Sequence, residues 1–211
     1  MIQTEINRAL IRALLIFAAL VCGPSAGAQE RWFQVEVIVF ERLDDGGLSA
    51  ESWLPDPGRP PVEDSIRLIG AEESPVEGEV NFAYRLLGPS QYSLRDTFGG
   101  LRASRTYRPL LHHVWRQPGL SQRRARWVHL YVPPESVGGF APAAPRIDGT
   151  LRVYLSRYLH ADADILYQRE GVETPFRLQT SRRMRSGELH YLDHPLFGVL
   201  ILVTPLPSAS G

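Results

Sequence analysis

The C-terminal segment PLFGVLILVTPL (residues 195–206) constrains the fold most, because it is apolar on both faces of an extended chain. We therefore expect it to be a central strand of a sheet, or a strand that other elements cover on both sides. The segment RWFQVEVIVFER (residues 31–42) instead alternates apolar positions with mixed ones, which is typical of a half-buried strand. Together the two segments predict a sheet with a substantial core.

Four further segments alternate with the period of a strand. Residues 105–118 and 125–134 have this pattern, and the turn-like residues between them favour pairing the two as a hairpin. Residues 149–169 alternate over a length that indicates one long strand. Residues 176–186 can return antiparallel to it after a short turn.

One segment suits a helix. Residues 88–104 place three apolar side chains on one side at helical spacing, and Ser90 is a suitable N-terminal cap; the three are Leu94, Phe98 and Leu101. We predict an α+β fold: a sheet-dominated single domain of mostly antiparallel strands with one or two helices. It would comprise residues 29–43 and 81–207, followed by a tail at 208–211.

The N-terminus has the features of an export signal. Residues 13–22 form an apolar stretch too short to span a bilayer, and Ala26 and Ala28 occupy the small-residue positions before a cleavage site. This predicts cleavage between Ala28 and Gln29 and a periplasmic protein, with a retained anchor as the alternative. The single cysteine lies in the apolar stretch. The mature chain would then have no disulfide, no thiolate nucleophile and no transmembrane segment.

Arginine supplies all 23 basic residues, and the two signs of charge are distributed unevenly. Residues 44–80 carry ten acidic residues against two arginines, with five prolines. We interpret them as an acidic, poorly ordered, variable excursion with a short apolar contact at 65–69. Residues 81–185 carry seventeen arginines against seven acidic residues. Either the excursion folds back over this basic body or the body is open to an anionic partner, and the export signal argues against nucleic acid.

The segment RRMRSGELHYLDH (residues 182–194) gathers seven ionisable side chains beside the apolar C-terminal strand. A glycosidase would need two carboxyl groups about 5–10 Å apart, one with a raised pKa, and Glu188 and Asp193 are the candidates. Neighbouring arginines would keep both ionised, which disfavours a general acid. The sequence also lacks a Gly-x-Ser-x-Gly elbow, a His-Glu-x-x-His pair and glycine-rich phosphate loops.

Metal binding is a second interpretation of the same region. Two sets of side chains have suitable donor atoms, namely Glu188, His190, Asp193 and His194, and His160, Asp162 and Asp164 on one strand face. Three arginines in the segment would repel a dication: Arg182, Arg183 and Arg185. Two further interpretations stay open at this point, a self-neutralising structural network and a cradle for a ligand.

Four segments resemble the CsiV family of peptidoglycan-binding periplasmic proteins: RWFQVEVIVFER, YRPLLHHVWRQP, DGTLRVYLSRYLHADADILY and SRRMRSGELHYLDHPLFGVLILVTP. They follow one another over most of the chain after residue 28, and residues 44–80 carry no part of the resemblance. It implies a protein that binds the cell wall and supports its septal and lateral synthesis. It further implies that such a protein helps an outer-membrane lipoprotein to activate a class A penicillin-binding protein. With the residue arguments above, we predict a non-catalytic protein without a cofactor or metal.

The candidate binding residues come from two blocks, RYLH and RRMRSGELHYLDH. Their tyrosines are suited to stacking on sugar rings and their arginines to clamping stem-peptide carboxylates, whereas core packing is favoured for Trp115 and Trp127. The predicted set for peptidoglycan or a protein partner is Arg157, Tyr158, His160, Arg182, Arg183, Arg185, Glu188, His190, Tyr191, Asp193 and His194. The alternative functions are a protein–protein scaffold without direct glycan binding and a metal-dependent wall hydrolase.

Overall fold

The computed structural model describes residues 31–44, 46–50, 56–70, 83–134 and 144–207. The strands are β1 (Trp32–Arg42), β2 (Ile66–Arg67), β3 (Tyr107–Pro118), β4 (Val128–Val132), β5 (Ile147–Leu155), β6 (Leu159–Tyr167), β7 (Phe176–Met184), β8 (Leu189–Asp193) and β9 (Phe197–Pro205). The helices are α1 (Gly46–Ala50), a short 3-10 turn (Pro89–Gln91) and α2 (Arg95–Ala103).

The strands form two sheets. In the four-stranded sheet the order is β3-β1-β9-β8 and every pairing is antiparallel. In the five-stranded sheet the order is β2-β4-β5-β6-β7, and all pairings are antiparallel except that of β2 with β4. The predicted fold class, α+β with a predominance of mostly antiparallel strands, is therefore confirmed.

The main hydrophobic core lies between the two sheets. The alternating face of β1 contributes Phe33, Val35, Val37 and Val39, as its sequence pattern predicted. The indole of Trp115 on β3 is fully buried there and donates to Gln117 Oε1 at 2.9 Å. The Gln117 amide in turn donates to the backbone oxygen of Val153 on β5, also at 2.9 Å. A buried hydrogen-bonded chain thus connects the two sheets across an otherwise apolar layer.

The opposite face of the four-stranded sheet carries the second apolar layer. Ile38 and Phe40 of β1 pack there with Leu94, and Phe98 and Leu101 of α2 cover them, as the helical spacing predicted. Leu200 and Leu202 of β9 join this layer, so β9 is apolar on both faces because it is covered by the core and by the helix side. The prediction of a central, doubly covered strand is confirmed.

The start of α2 is fixed by a side chain from β1 rather than by Ser90, so the predicted cap was wrong. Both carboxylate oxygens of Glu36 accept backbone N–H groups, from Ser93 and from Leu94, at 2.8 Å. His112 Nε2 lies 2.8 Å from the same carboxylate. Burial acts to raise the pKa of Glu36, but the His112 contact and the two N–H groups outweigh it and lower that pKa.

The predicted hairpin between residues 105–118 and 125–134 is wrong. β3 pairs with β1 in the four-stranded sheet, whereas β4 pairs with β5 in the other. Alternation identifies a strand and its buried face, but it does not say in which of two facing sheets the strand lies.

The single long strand predicted over residues 149–169 is instead a hairpin of β5 and β6. Leu155 and Leu159 are cross-strand partners, and residues 156–158 form the turn. Because Leu155 and Leu159 are an even number of positions apart, the period of two continues through the turn and hides it. The prediction that 176–186 returns antiparallel is confirmed by the pairing of β7 with β6.

Part of the acidic segment lies against the outer face of the five-stranded sheet, the face turned away from the core. β2 pairs with β4, and Ile69 bridges to Arg85, at the place where a short apolar contact was expected. Arg177 on β7 donates to the backbone oxygen of Pro57 at 2.8 Å. Residues 56–70 are therefore attached to the sheet rather than poorly ordered, while residues 71–80 lie outside the described part of the chain.

One end of the space between the sheets is closed by buried charge. Glu41 near the end of β1 accepts from Arg146 at 2.6 Å, and the hydroxyl of Tyr167 at the end of β6 also donates to it. All three side chains are buried. The two ions are therefore paired inside the fold, and removing either one would leave the other buried without this partner.

We expect Glu36→Gln to lower the free energy of unfolding by about 2–4 kcal/mol, because it removes the charge that His112 and two N–H groups share. Asp96 is an exposed carboxylate in the first turn of α2, and Asp96→Asn should lower the free energy of unfolding by less than about 1 kcal/mol. Denaturant unfolding at neutral pH measures both. Because the folded-state pKa of Glu36 is lowered, its contribution should be lost as the pH falls through that folded value. Equal losses in the two variants would contradict this role.

Candidate functional site

The ionisable residues of segment 182–194 do not form one cluster. The structure distributes them over four places: the exposed end of β7, the turn between β7 and β8, the side of β8 that faces α2, and the core. Within the described residues, no three His, Asp, Glu or Cys side chains lie close enough to hold a metal ion. These ionisable side chains are close in sequence but apart in space, because successive residues of a strand point to opposite faces of the sheet.

The turn between β7 and β8 holds three of the predicted residues. Arg185 and Glu188 pair at 3.5 Å with largely exposed side chains, and such a pair contributes only about 0–1 kcal/mol. His190 Nε2 accepts the backbone N–H of Arg185 at 3.0 Å. Gly187 sits at φ +78°, a conformation that favours glycine, and its N–H bonds to Val203. The turn geometry is fixed by backbone contacts, so the charges of Arg185 and Glu188 remain available to a ligand.

Tyr191 and Asp193 belong to a second group, on the side of β8 that faces α2. Arg42 donates to both the Tyr191 hydroxyl and Asp193 at 2.9 Å, and the hydroxyl donates to the same carboxylate. Burial and the Asp193 contact raise the pKa of Tyr191 to about 12, while the Tyr191 hydrogen bond and Arg42 lower the pKa of Asp193. Arg42, Tyr191 and Asp193 therefore serve as one another's hydrogen-bond partners. The sequence did not point to Arg42, because it lies 149 residues from Tyr191 along the chain.

His194 is a core residue. It is 7% exposed and its ring packs against Phe197, with centroids 4.6 Å apart. Its Nδ1 accepts the backbone N–H of Leu196 at 3.2 Å. Burial lowers the pKa of His194 to about 4, so the ring is neutral at physiological pH and structural.

Two of the predicted blocks do meet, at the end of the sandwich opposite Glu41. The turn after β5 brings Arg157 and Tyr158 to the same cleft as Arg185 and Glu188 from the turn after β7. The cleft has a volume of about 570 Å³. Its floor includes Phe33 and Met184, which belong to the core. We refer to it as the end cleft.

Tyr158 is the most prominent side chain of the end cleft. It is 46% exposed, and the guanidinium groups of Arg183 and Arg157 lie 4.8 Å and 5.6 Å from its ring centroid. Guanidinium groups over a tyrosine ring make cation–π contacts that hold the ring in place. The arrangement offers a flat ring for stacking beside several planar cations that match carboxylates in geometry.

Two further lining residues were not predicted. Arg31 and Trp32, at the start of β1, border the end cleft. Trp32 lies on the face of β1 that carries mixed residues, and a large aromatic residue at a non-core position was the one signal in the sequence that pointed to it. Glu188 is the single carboxylate among the described lining residues, and its partner is Arg185.

The remaining predicted residues lie outside the end cleft. His160 is on the outer face of the five-stranded sheet, where its ring stacks on Tyr154 at 5.0 Å and 7°. Arg182 and Arg183 are both exposed, but as neighbours on β7 they project to opposite sides of the sheet. Trp127 does not enter the core, contrary to expectation: it is partly exposed on the outer face beneath the guanidinium of Arg152, 4.4 Å from its centroid.

Comparison with known proteins gives one match. The model of the family described as "Peptidoglycan-binding protein, CsiV" matches residues 9–206, most of the chain, and confirms the resemblance drawn from the sequence. No curated protein and no solved structure matches. In the described residues, no helix has the length and apolar character needed to cross a membrane.

Two partly or fully desolvated histidines, His194 and His113, predict a pH dependence of stability. Burial lowers the pKa of His194 and of His113 to about 4, so between about pH 6.5 and pH 4 the unfolded chain binds protons that the folded chain does not. As the pH is lowered from about 6.5 to about 4, the free energy of unfolding should therefore decrease, by up to about 1.4 kcal/mol per pH unit for each histidine.

His194→Asn separates the two contributions, because the amide oxygen can accept the Leu196 N–H but does not titrate. We expect its histidine-dependent slope between pH 6.5 and 4 to be about half that of the wild type. Denaturant unfolding at pH 8, where the ring is neutral in both states, gives the packing cost of the substitution separately. An unchanged slope in the variant would show that His194 does not titrate in this way.

Proposed function

The chain belongs to the CsiV family of peptidoglycan-binding proteins, and we propose that it binds peptidoglycan through the end cleft. The observation that carries this proposal is the meeting of two distant blocks in one depression. Arg157 and Tyr158 come from one turn and Arg185 from another, and Trp32 completes the lining. The aromatic rings and the guanidinium groups are both suited to this polymer.

Peptidoglycan presents two kinds of surface that the end cleft can recognise. Its sugar rings have apolar C–H faces that stack on Tyr158 and Trp32. Its peptide stems carry carboxylates, which arginine forks bind in a bidentate manner. Each exposed contact contributes only about 0.2–1 kcal/mol, so affinity requires several of them together. We therefore expect binding that is weak per unit and sensitive to salt.

A binding role is favoured over bond cleavage by the chemistry of the site. Glycoside hydrolysis requires two carboxyl groups about 5–10 Å apart with one of them protonated. The described lining of the end cleft offers Glu188 alone, and its nearest charged partner is Arg185 at 3.5 Å rather than a second carboxyl group. Asp193, the other candidate, is held ionised by Tyr191 and Arg42 elsewhere on β8. We propose that the protein acts without catalysis and without a cofactor.

The proposed cellular role rests on the predicted export signal and on the family. We propose that cleavage between Ala28 and Gln29 delivers the protein to the periplasm, where it acts as an accessory to cell-wall synthesis. It would do so by aiding an outer-membrane lipoprotein in activating a class A penicillin-binding protein, while its own contact with peptidoglycan keeps it at the site of synthesis.

Sedimentation with isolated sacculi tests the binding. We expect the protein to sediment at low salt and to be released at high salt, and we expect Tyr158→Ala and Arg185→Glu each to reduce the bound fraction several-fold. Tyr131→Ala is the matched control for the tyrosine, because Tyr131 is similarly exposed (44%) but lies on β4 outside the cleft. Arg95→Glu is the control for charge reversal, because Arg95 is exposed on α2.

Thermal melting of the same variants distinguishes a binding surface from a structural network. Binding loss with an unchanged melting temperature supports the proposal. A lower melting temperature for Arg185→Glu or Tyr158→Ala, with sedimentation of the folded fraction unaffected, would assign the cluster to stability instead. Failure of the wild-type protein to sediment at low salt would rule out the end cleft as a peptidoglycan site.

The accessory role has its own test. A purified class A penicillin-binding protein and its lipoprotein activator should polymerise substrate faster when this protein is added, and Tyr158→Ala should remove most of that increase. Glycan polymerisation is the measured quantity. The same rate with and without the protein would contradict the accessory role, and it would leave the binding proposal to stand on sedimentation alone.

A further inference from the structure

A continuous row of planar side chains crosses the outer face of the five-stranded sheet. Trp127, just before β4, lies beneath Arg152 of β5, whose guanidinium is 4.4 Å from the indole centroid and 5.4 Å from the ring of Tyr154. Tyr154 stacks on its cross-strand partner His160 of β6. We name these four residues the outer strip.

The outer strip leads to the end cleft. His160 is the cross-strand partner of Arg183 on β7, and the Arg183 guanidinium lies 4.8 Å from the Tyr158 ring at the edge of the cleft. A row of rings and guanidinium groups therefore runs from the start of β4, across β5 and β6 to Arg183 of β7, and from there to the turn at residues 156–158.

Two further depressions lie along this row. One has a volume of about 440 Å³ and is lined by Arg123, Tyr154 and His160; it shares Leu155 with the end cleft. The other, also about 440 Å³, is lined by Trp127, Thr150 and Asp162. Thr150 and Leu155 are five positions apart on β5, which corresponds to about 17 Å of strand. Three depressions in a row are a surface for an extended ligand.

The far depression contains polar groups suited to a polyhydroxylated ligand. Gln179 and Ser181 of β7 line it with exposed amide and hydroxyl groups, which can both donate to and accept from ligand hydroxyls. Asp162 is held by Arg152 at 2.6 Å and by the Ser181 hydroxyl at 2.7 Å. These contacts fix the positions of the carboxylate and the guanidinium before any ligand arrives, which lowers the entropic cost of binding.

The charge of the outer face favours a sugar polymer over a nucleic acid. Three aspartates lie among its basic side chains, each paired with one: Asp148 with His129, Asp162 with Arg152 and Asp164 with Arg177. A polyphosphate chain would meet cations that are already paired with carboxylates, so this face offers little of the charge neutralisation on which nucleic-acid binding depends. A glycan strand is uncharged along its sugar backbone and carries its carboxylates at intervals, which matches a face of paired charges bordered by the exposed arginines of the turns.

We infer that the binding surface extends from the end cleft along the outer strip, and that the ligand is a glycan strand of several disaccharide repeats rather than a single unit. This inference rests on the proposed function and specifies its ligand. The end cleft holds one repeat, and the outer strip holds the repeats that follow. Affinity then grows with strand length because successive contacts act within one complex.

Binding to soluble peptidoglycan fragments of graded length tests this inference. Titrations use a disaccharide-peptide monomer and uncrosslinked glycan strands fractionated by length, monitored by calorimetry. We express both Kd values as concentrations of disaccharide repeat. On that scale we expect the Kd for the strands to be at least 10-fold lower than the Kd for the monomer. Trp127→Ala and Arg123→Glu should remove most of this gain and leave the monomer Kd within about 2-fold.

Matched controls separate the outer strip from general surface effects. Arg124→Glu reverses the charge of the exposed neighbour of Arg123, which does not line the depression, and should retain the full gain. Arg123 is exposed, so its variant tests the inference even if Trp127→Ala fails to fold.

The outcomes are distinct. Equal affinity per repeat for monomer and strand, with the wild type binding both, would overturn the extended surface and leave the end cleft intact. Binding of neither would refute the proposed function itself. A single-stranded oligonucleotide is also tested as a competitor of the glycan strand. If it displaces the strand from the wild type and does not bind Trp127→Ala, the outer strip is a nucleic-acid site and the inference is contradicted.

Discussion

The antiparallel pairing of β1 with β9 is the constraint on which the rest of the structure depends, because both strands pack apolar side chains on both faces. One face requires a second sheet, which β4 to β7 supply. The other requires a cover, which α2 supplies. The helix is short and contains Gly99 and Gly100, so its intrinsic propensity is low and it depends on the contact with β1 through Glu36. The layer order of helix, sheet and sheet is thus a consequence of two strands that carry apolar side chains on both faces.

Arginine is used in two ways in this fold. On the outer face and at the Glu41 end, guanidinium groups are paired with carboxylates at 2.6–2.7 Å, so part of the basic excess of residues 81–185 is neutralised within the sheet. Around the end cleft, Arg157, Arg183 and Arg185 are exposed, and two of them stack on a tyrosine. A planar cation can perform both tasks, which an ammonium group performs less well. The chain therefore separates structural arginines from available ones by position rather than by residue type.

The strands and their buried faces could be predicted because alternation is a local property of the sequence. β1, β3, β7 and β9 follow from it, and so does the apolar side of α2. The assignment of β3 and β4 to different sheets could not be predicted, since it depends on which distant strand supplies the partner. The turn at 156–158 was hidden because the residues on either side keep the same parity. The cap of α2 was missed for a related reason: Glu36 is far from the helix in sequence.

The candidate site shows the same division between local and distant information. The two charged blocks were recognisable as unusual, and the turns that carry Tyr158 and Arg185 do meet in the end cleft. Adjacency in sequence, however, suggested a single cluster where the structure has four separate groups. Arg42 and Trp32 came to light only through tertiary contacts. A family resemblance identified the class of ligand, but the positions that face it depend on the packing of the sheets.

The start of β1 and the end of β9 both border the end cleft, through Arg31 and Trp32 on one side and Pro205 and Leu206 on the other. Any sequence fused directly to either boundary of the domain would emerge beside the cleft mouth and crowd it. Affinity handles, fluorescent proteins or surface-tethering linkers attached there would therefore be expected to interfere. The turn at Gly171, where the backbone is exposed and no neighbouring atom lies within 4 Å of an added Cβ, offers an attachment point at the other end of β6.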